Sequence, residues 1–224
     1  MPGKNEVREI PTEKKAIFLA SGSPQRKAIL QELGIVFDVL SMDVDEVTLN
    51  TPEATVLENA RIKALATLPI VPDESIVIAA DTVLFAQGNI LGKPADRKTA
   101  RTYLSMLSGQ SVRAYSGVAV IRKGDPEGAL ILESAQAHIR SLSEPEIVWY
   151  VETEEPLTRA GAFGVSRYGE LFVERIEGSY SCIAGLPKAA LLAGLSQISP
   201  PFPAGPPAKF LATQVQMETF QVPD

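Results

Sequence analysis

The stretch AIFLASGSPQRKAILQELG, residues 16–34, decides how this chain folds. Its first six residues form an apolar run that is typical of a buried strand. Ser23-Pro24 then has the signature of a helix N-terminus, with serine as the cap and proline in the first turn. Gly34 stands where that helix should end. Because a strand that passes directly into a helix is the building unit of α/β proteins, we predict an α/β fold.

Alternating strand and helix patterns continue to residue 195. A helix that begins at Thr51-Pro52 has an apolar face containing Leu57, Ala60, Ala64, Leu65 and Leu68. Residues 76–80, IVIAA, are a continuous apolar run, which is typical of a strand covered on both faces. The other predicted elements, in chain order, are a strand at 36–41, a hairpin turn at Gly88-Asn89, a helix capped by Asp96, strands at 112–123 and 129–142, a helix opened by a capping box at 143–146, a strand at 171–176 and a helix at 187–195.

The chain is predicted to contain one folded domain between two terminal segments. A length of 224 residues suits a single domain of two lobes. We assign residues 14–195 to this domain and residues 1–13 to an N-terminal extension. Residues 196–224 contain six prolines and are predicted to form a disordered tail.

Composition excludes several classes of function. The net charge of -6 does not favour nucleic-acid binding, which requires a basic surface. With Cys182 as the single cysteine and His138 as the single histidine, neither an intrachain disulfide nor a zinc site of several such ligands can form. His138 lies in an alternating pattern and is interpreted as a strand side chain. No leader or membrane segment is recognised, so a cytoplasmic protein that does not bind membranes is expected.

The first candidate site is the junction between the first strand and the first helix. The free N–H groups of a helix N-terminus attract anions, and Ser21, Ser23, Arg26 and Lys27 add donors and positive charge there. The segment is therefore interpreted either as a cradle for phosphate or as an ordinary capped helix with a basic first turn. The segment by itself does not favour one reading over the other.

Two carboxylates and two lysines are the next candidates. Asp81 follows the apolar run 76–80, and Glu46 ends an acidic loop; such carboxylates can hold a divalent cation or accept a proton from water. Lys63 and Lys93 can each neutralise a phosphate. For Glu46 and for each lysine, the alternative is a solvated surface residue.

A glycine-rich segment at residues 159–169 can approach a nucleoside closely or can simply shape a tight crossing of the chain. Arg159 and Arg167 within it are either binding groups or members of surface ion pairs. Basic groups, carboxylates and glycine turns together favour metal-assisted phosphoryl or nucleotidyl chemistry over acyl transfer.

The order of these motifs resembles the Maf family of nucleoside triphosphate pyrophosphatases, also described as septum-formation inhibitors. The resemblance covers residues 17–195. The motifs that carry it are LASGSPQRKAIL at 19–30, DEV at 45–47, ENARIKA at 58–64, AADT at 79–82, LGKP at 91–94, LSGQSVRAYSGV at 107–118, AGAFG at 160–164, FVERIEGSYS at 172–181 and GLP at 185–187.

The resemblance implies both a fold and an activity. The fold is a Maf/ITPase-like, mixed, elongated sheet flanked by helices, with two lobes around a central cleft. The activity is hydrolysis of a nucleoside triphosphate to the monophosphate and pyrophosphate with a divalent cation, Mg²⁺ or Mn²⁺, in the control of nucleotide pools. The implied site comprises Asp81 as proton acceptor, Glu46 and Asp81 as metal ligands, Ser21, Ser23, Arg26, Lys63 and Lys93 as substrate-binding residues, and Gln25, Thr82 and Ser166 at positions that affect base preference.

The sequence departs from the family pattern at several of these positions. Gln25 stands where family members commonly have arginine, and Arg159 stands where they have lysine. Ser166 replaces a glutamine of the uracil/thymine-selective branch, and Cys182 replaces its asparagine, although EGSYS at 177–181 is more similar to that branch than to the methylguanosine branch. We therefore expect a slight preference for uracil and thymine, weaker than in that branch, because serine is too short to pair with a base as glutamine does.

Two other functions are compatible with the same residues. One is a non-catalytic nucleotide-binding regulator of cell division, and the other is a nucleotidyltransferase with the same phosphate-binding groups. The sequence does not choose between a monomer and a homodimer.

Overall fold

The computed structural model describes residues 16–199, which form a mixed α/β fold. The strands are β1 (Ile17–Leu19), β2 (Asp38–Val39), β3 (Ile76–Ala86), β4 (Asn89–Leu91), β5 (Ser111–Arg122), β6 (Asp125–Ile139) and β7 (Val173–Glu177). The helices are α1 (Pro24–Glu32), α2 (Pro52–Thr67), α3 (Arg97–Leu107), α4 (Glu144–Glu152), α5 (Tyr180–Ile183) and α6 (Lys188–Ile198).

All seven strands belong to one mixed sheet. Its order is β2-β1-β3-β5-β6-β7, and β4 pairs with the far end of β3. β1 is parallel to both β2 and β3, whereas every other pairing is antiparallel. The three long central strands, β3, β5 and β6, give the sheet its elongated form.

Helices cover both faces of one half of the sheet. Because side chains alternate along a strand, Ile76 and Ile78 pack with α1 and α6, whereas Val77 and Ala79 pack with α2 on the opposite face. The other half of the sheet packs with α3 and α4 around Leu84, Leu104 and Tyr150. The predicted mixed sheet with flanking helices and two lobes is therefore confirmed, and the lobes share the three long strands.

The predicted helix N-termini are confirmed by their hydrogen bonds. The side chains of Ser23, Thr51 and Asp96 accept from the backbone N–H groups of Arg26, Ala54 and Thr99, respectively. The capping box at residues 143–146 is also formed. His138 is a side chain of β6, as expected.

Several predicted elements need correction. The strand at 36–41 is reduced to the two exposed residues of β2. The hairpin turn is Gln87-Gly88, since Ala86 pairs with Asn89. The fully buried face of α2 is centred on Val56, Asn59, Ala60 and Ala64, and Leu57 lies only at its border, because the helix packs closely against the sheet.

The last helix is longer than predicted. Helix α6 continues to Ile198, three residues beyond the expected boundary at 195, because Ile198 packs against the same core as Leu191 and Leu195. Residues 1–13 and all but the first four residues of 196–224 lie outside the described part. No helix in residues 16–199 is long and apolar enough to cross a membrane.

Candidate active site

Asp81 lies in the middle of β3, between the two lobes. The sequence placed it after the strand, but β3 continues to Ala86 because Asp81–Phe85 pair with Arg113–Gly117 of β5. Its side chain is only 9% exposed. A carboxylate with so little contact with water needs specific partners, since burial of an unpaired charge is costly.

Helix α2 supplies those partners. Lys63 Nζ lies 2.6 Å from Asp81 Oδ1, and Asn59 Nδ2 donates to Asp81 Oδ2 at 3.1 Å. Asn59 and Lys63 are four residues apart, so both side chains leave the helix on the same face. One ion pair and one hydrogen bond therefore hold the two oxygens of Asp81 in place.

A glycine in β5 allows α2 to come this close. Gly117 is directly opposite Asp81 in the sheet, and a Cβ at this position would lie 2.6 Å from the carbonyl carbon of Val56 in α2. A side chain at residue 117 would therefore push the helix away from the sheet. The contact between Gly117 and Val56 brings Asn59 and Lys63 within reach of Asp81.

The acidic loop is attached to the same helix. The side-chain amide of Asn59 accepts from Val47 N at 2.8 Å and donates to Val47 O at 3.0 Å. This pair of bonds fixes the loop next to α2 and brings Glu46 Oε1 to 2.8 Å from Lys63 Nζ. Glu46 remains half exposed, with an exposed side-chain fraction of 55%.

Ser21, Ser23 and Arg26 form a second group at the N-terminus of α1. Arg26 donates from Nη1 to Ser21 Oγ at 3.1 Å and from Nε to the carbonyl oxygen of Gly185 at 2.9 Å. Burial lowers the pKa of the Arg26 guanidinium, and the negative charges of Asp81 and Glu46 raise it. The α1 group and the Asp81 group are therefore close enough to interact electrostatically.

Thr82 links β3 to the loop before α6. Its hydroxyl lies 2.7 Å from Ser116 Oγ, and Ser116 donates to the carbonyl oxygen of Cys182 at 2.8 Å. Thr82 Oγ1 also approaches the carbonyl oxygen of Gly185, at 3.4 Å. Thr82 thus lies beside Arg26, since the same carbonyl accepts from both side chains.

Gln25 and Ser166 meet at Arg159. With its amide oriented to satisfy its neighbours, Gln25 accepts from both Nη1 and Nη2 of Arg159 at 3.0 Å and donates to Ser23 Oγ at 3.1 Å. Arg159 Nη2 also donates to Ser166 Oγ at 3.2 Å. These three residues form a third group, which begins at the N-terminus of α1.

Lys93 makes no polar contact with these three groups. It is exposed on the segment between β4 and α3 and makes no hydrogen bond or ion pair with any residue in 16–199. Its segment is nevertheless attached to the glycine-rich segment, because Gly161 N donates to the carbonyl oxygen of Gly92 at 2.8 Å.

Comparison with known proteins gives the family. A sequence model described as Maf-like protein matches residues 16–198, the whole described chain except its last residue. The chain belongs to this family. The dTTP/UTP pyrophosphatase of Caldanaerobacter subterraneus subsp. tengcongensis is 39% identical over 176 residues, which cover 78% of this chain and 85% of that protein. The dTTP/UTP pyrophosphatase of Thermotoga petrophila is 40% identical over 172 residues, which cover 76% and 83%.

A solved structure of the Ham1 protein of Staphylococcus aureus is a more distant match. It shares 16% identity and a TM-score of 0.43, and the match covers 83% of this chain and 91% of that chain. The resemblance to the Maf family is thus confirmed by the family model and the curated relatives, independently of this distant structure.

The Maf-like site contains few groups that could bind a metal. Residues 16–199 contain no cluster of three or more histidine, cysteine, aspartate or glutamate side chains suited to a metal ion. Glu46 and Asp81 are the available pair, and both contact the ammonium group of Lys63. Two carboxylates are enough for Mg²⁺ or Mn²⁺ when substrate phosphates and water complete the coordination shell. The donor set therefore fits a divalent cation that binds together with its substrate.

Sequence reasoning missed three contributors to this site. Asn59 is not among the candidates from the sequence, although a polar residue on the buried face of a helix is an available signal. The carbonyl oxygen of Gly185 gave no signal, because backbone groups of loops do not appear in a residue pattern. Arg159 is a candidate from the sequence, but its contact with Gln25 is not, because it joins segments that are remote in the chain.

Proposed function

We propose that this Maf-like protein hydrolyses nucleoside triphosphates to monophosphate and pyrophosphate, with a preference for uracil and thymine nucleotides. The observation that carries the proposal is the Asp81 carboxylate, held by Asn59 and Lys63 at the junction of the lobes and close to Arg26 at the N-terminus of α1. The names of the two relatives described above, both dTTP/UTP pyrophosphatases, support the reaction and the base class. Such an activity would control the composition of the nucleotide pool.

In this proposal the N-terminus of α1 binds the phosphates. The backbone N–H groups of its first turn and the hydroxyls of Ser21 and Ser23 donate to phosphate oxygens. Arg26 supplies positive charge, and Lys93, whose ammonium group has no partner in residues 16–199, can turn toward the end of the triphosphate. Ser23 is well suited to this role. Gln25 donates to Ser23 Oγ, so the hydroxyl proton of Ser23 remains available for a phosphate oxygen.

Asp81 accepts the proton of the water that attacks the α-phosphorus. Lys63 and Asn59 each contact one oxygen of the carboxylate, and each oxygen retains a lone pair for the water. These contacts fix the direction in which the carboxylate faces, so that it need not reorganise during the reaction. The bond to pyrophosphate breaks, and the positive charges of Arg26 and Lys63 stabilise the leaving group.

The charge of the site accounts for a cation requirement. Glu46 and Asp81 carry two negative charges, and Lys63 and Arg26 carry two positive charges, so the group is formally neutral before substrate binds. A triphosphate adds several negative charges to a partly buried site, which requires further positive charge. A divalent cation bound by Glu46 and Asp81 would neutralise phosphate oxygens and acidify the attacking water.

Replacement of Asp81 by asparagine tests the proposal. The Asp81→Asn variant keeps the shape of the side chain but cannot accept a proton, so turnover of UTP and dTTP should fall at least about a hundredfold. The measurement is release of monophosphate and pyrophosphate in equal amounts, without any acceptor molecule. Asp73→Asn, at a residue whose side chain is 93% exposed, is the matched control and should retain full activity.

The same assay separates the alternatives. A variant that retained more than about a tenth of the wild-type rate would contradict the role of Asp81. Tight binding of a triphosphate by the wild type without turnover would instead indicate a nucleotide-binding regulator, and turnover only with an acceptor would indicate a transferase.

Removal of divalent cations should abolish hydrolysis. Both candidate ligands are carboxylates, so Mg²⁺ or Mn²⁺ should restore activity to protein treated with excess chelator. The rate is measured before chelation, after chelation and after each metal is added back. Undiminished activity in excess chelator would contradict the metal-assisted reaction.

A further inference from the structure

Arg159 occupies a defined position between two segments of the site. Its guanidinium donates to the amide oxygen of Gln25 through both Nη1 and Nη2 at 3.0 Å, and to Ser166 Oγ through Nη2 at 3.2 Å. Gln25 belongs to the first turn of α1, where the phosphates are proposed to bind, and Ser166 belongs to the glycine-rich segment. The guanidinium therefore bridges the proposed phosphate-binding turn and the glycine-rich segment.

The surroundings of Arg159 restrict its side chain to this position. It is only 12% exposed. Gly164 lies against it, because a Cβ at residue 164 would be 3.3 Å from Arg159 Nε. Since the side chain is packed and bonded at its tip, it presents the same face of the guanidinium to any ligand, with little loss of entropy on binding.

The partners of Arg159 leave part of its hydrogen-bonding capacity unused. A guanidinium has five N–H donors and no acceptor. Gln25 and Ser166 use three of the donors, one on Nη1 and two on Nη2. Nε has no partner among the described residues, but it is enclosed by protein, so the second N–H of Nη1 is the donor left for a ligand. Its ion pair with Glu155 is long, at 3.6 Å, and Glu155 also accepts from Tyr150. A nearly buried cation that is mostly bonded to neutral groups is incompletely compensated, which favours binding of a further acceptor.

We propose that Arg159, held by Gln25 and Ser166, selects the base of the substrate by donating a hydrogen bond to a carbonyl oxygen on the base. This inference rests on the proposed function, because it concerns the substrate of the same site. It assigns to Arg159 the role that a glutamine at position 166 would otherwise have. The weak preference for uracil and thymine expected from the sequence was based on Ser166 alone. Arg159 adds a hydrogen-bond donor, so a stronger preference is expected.

The chemistry of the bases turns this role into a selectivity. Uracil and thymine have a carbonyl oxygen at position 4, and guanine has one at position 6, whereas cytosine and adenine have an amino group at these positions. Because a guanidinium only donates, it pairs with the carbonyl and faces another donor when the base has an amino group. UTP, dTTP and GTP should therefore be preferred to CTP and ATP.

UTP and CTP form the decisive pair of substrates, since they differ only at this edge of the ring. The wild type should hydrolyse UTP with a kcat/KM at least about tenfold higher than that for CTP, the effect of one good hydrogen bond. In Arg159→Met the ratio should fall to within about threefold of one, mainly through a higher KM for UTP. Arg159→Lys should give an intermediate ratio, because lysine keeps the charge but not the paired donors.

Two further variants control for a purely structural role. Arg167→Met removes a neighbouring arginine that is 69% exposed and also pairs with Glu155, and it should leave the ratio unchanged. Gln25→Ala keeps Arg159 but removes the acceptor that holds it, and it should lower the ratio even if Arg159→Met fails to fold. Melting temperatures are measured for every variant.

The outcomes separate this inference from the proposed function. A kcat/KM that falls by the same factor for all bases in Arg159→Met would mean that Arg159 contacts phosphate or supports the fold, and would overturn the inference. So would a wild type that prefers CTP. If the wild type hydrolyses no triphosphate, the proposed function fails, and the inference is decided by calorimetry. In that case the α,β-imido analogue of UTP should bind about tenfold more tightly than that of CTP, and equal affinities would refute it.

Discussion

At the scale of single residues, Lys63 connects the chemistry of the site to its charge balance. Its ammonium group is within 2.8 Å of Glu46 and 2.6 Å of Asp81, and its side chain is only 13% exposed. The pair with Asp81 is shielded from water, so it is much less screened than an ordinary surface pair. Lys63 thereby holds the Asp81 carboxylate in one orientation before substrate binds.

A second buried carboxylate has no such partner. Glu133 in β6 is 8% exposed, and its Oε2 has no hydrogen-bond partner in residues 16–199. Burial raises the pKa of this carboxyl, although hydrogen bonds from Ser179 and the backbone of Ala190 lower it. The ionised form is therefore less stable in the folded protein than in the unfolded chain.

The Glu133→Gln variant should be more stable than the wild type at neutral pH. A raised folded-state pKa means that the proton-linked stability is fully present below the unfolded value, near 4.5, and is lost as pH rises through the folded value. Glutamine removes the charge and keeps an acceptor oxygen. We expect a gain of about 1 kcal/mol at pH 8, or roughly 2–4 °C in Tm.

The pH dependence provides the control for this prediction. The difference in Tm between Glu133→Gln and the wild type should shrink as the pH is lowered below about 4.5, where the glutamate becomes protonated in both states. A difference that stays constant between pH 4 and pH 8, or a lower Tm at pH 8, would contradict the argument.

At the scale of elements, the close contact of α2 with β5 builds the central part of the site. Replacement of Gly117 by alanine places a methyl group against the backbone of Val56, which cannot rotate away as a side chain can. The helix must shift, and it carries Asn59 and Lys63 with it. We expect a loss of about 2–4 kcal/mol in the free energy of unfolding and a large loss of activity.

Gly92→Ala is a matched control for the stability measurement. Apart from its neighbours in the chain, no residue in 16–199 has an atom within 4 Å of the position that a Cβ would take at Gly92, so the added methyl group should cost little. The test compares the melting temperatures of Gly117→Ala, Gly92→Ala and the wild type. Equal melting temperatures for Gly117→Ala and the wild type would show that α2 does not depend on this glycine for its position.

Local signals predicted most elements, and tertiary packing decided the rest. The caps at Ser23, Thr51 and Asp96 could be read from the sequence, because each is bonded within its own first turn. The length of β3 could not, since Asp81 interrupts the apolar run and only the pairing with β5 shows that the strand continues. The apolar pattern also misjudged the buried face of α2, where Asn59 is buried because it binds both Asp81 and Val47.

The residues of the candidate site were likewise predictable from local motifs, whereas their contacts across the fold were not. Asp81, Glu46, Lys63 and Arg26 were identified from the motifs, and the structure brings them together. The group of Gln25, Arg159 and Ser166 was not identified as a group, because its members lie on segments far apart in the chain and each was considered separately.

At the scale of the whole molecule, the sheet joins two lobes through the strands β3, β5 and β6. Helices α1, α2 and α6 cover one half of the sheet, and α3 and α4 cover the other. Asp81 lies where the two halves meet. If phosphates bind at α1 and the base at the glycine-rich segment, as proposed above, binding energy from both lobes would act on the same reacting bond.

The end of the folded domain can be tested by two truncations that differ by four residues. The boundary expected from the sequence lies after Leu195, but α6 continues to Ile198, which packs against the core formed with Leu191 and Leu195. Ser199 closes the helix by donating from its N–H to the carbonyl oxygen of Leu195 at 2.9 Å. The family match also ends at residue 198.

Deletion of residues 200–224 should leave activity and Tm nearly unchanged, because the matched domain is complete by Ser199. Deletion of residues 196–224 removes the last turn of α6 together with the apolar contact of Ile198. It should cost about 1–2 kcal/mol, which corresponds to a fall in Tm of several degrees for a domain of this size. Calorimetry of both truncated proteins beside the full chain measures this difference. If the shorter deletion lowers Tm as much as the longer one does, then stability comes from residues beyond Ser199 and not from the last turn of α6.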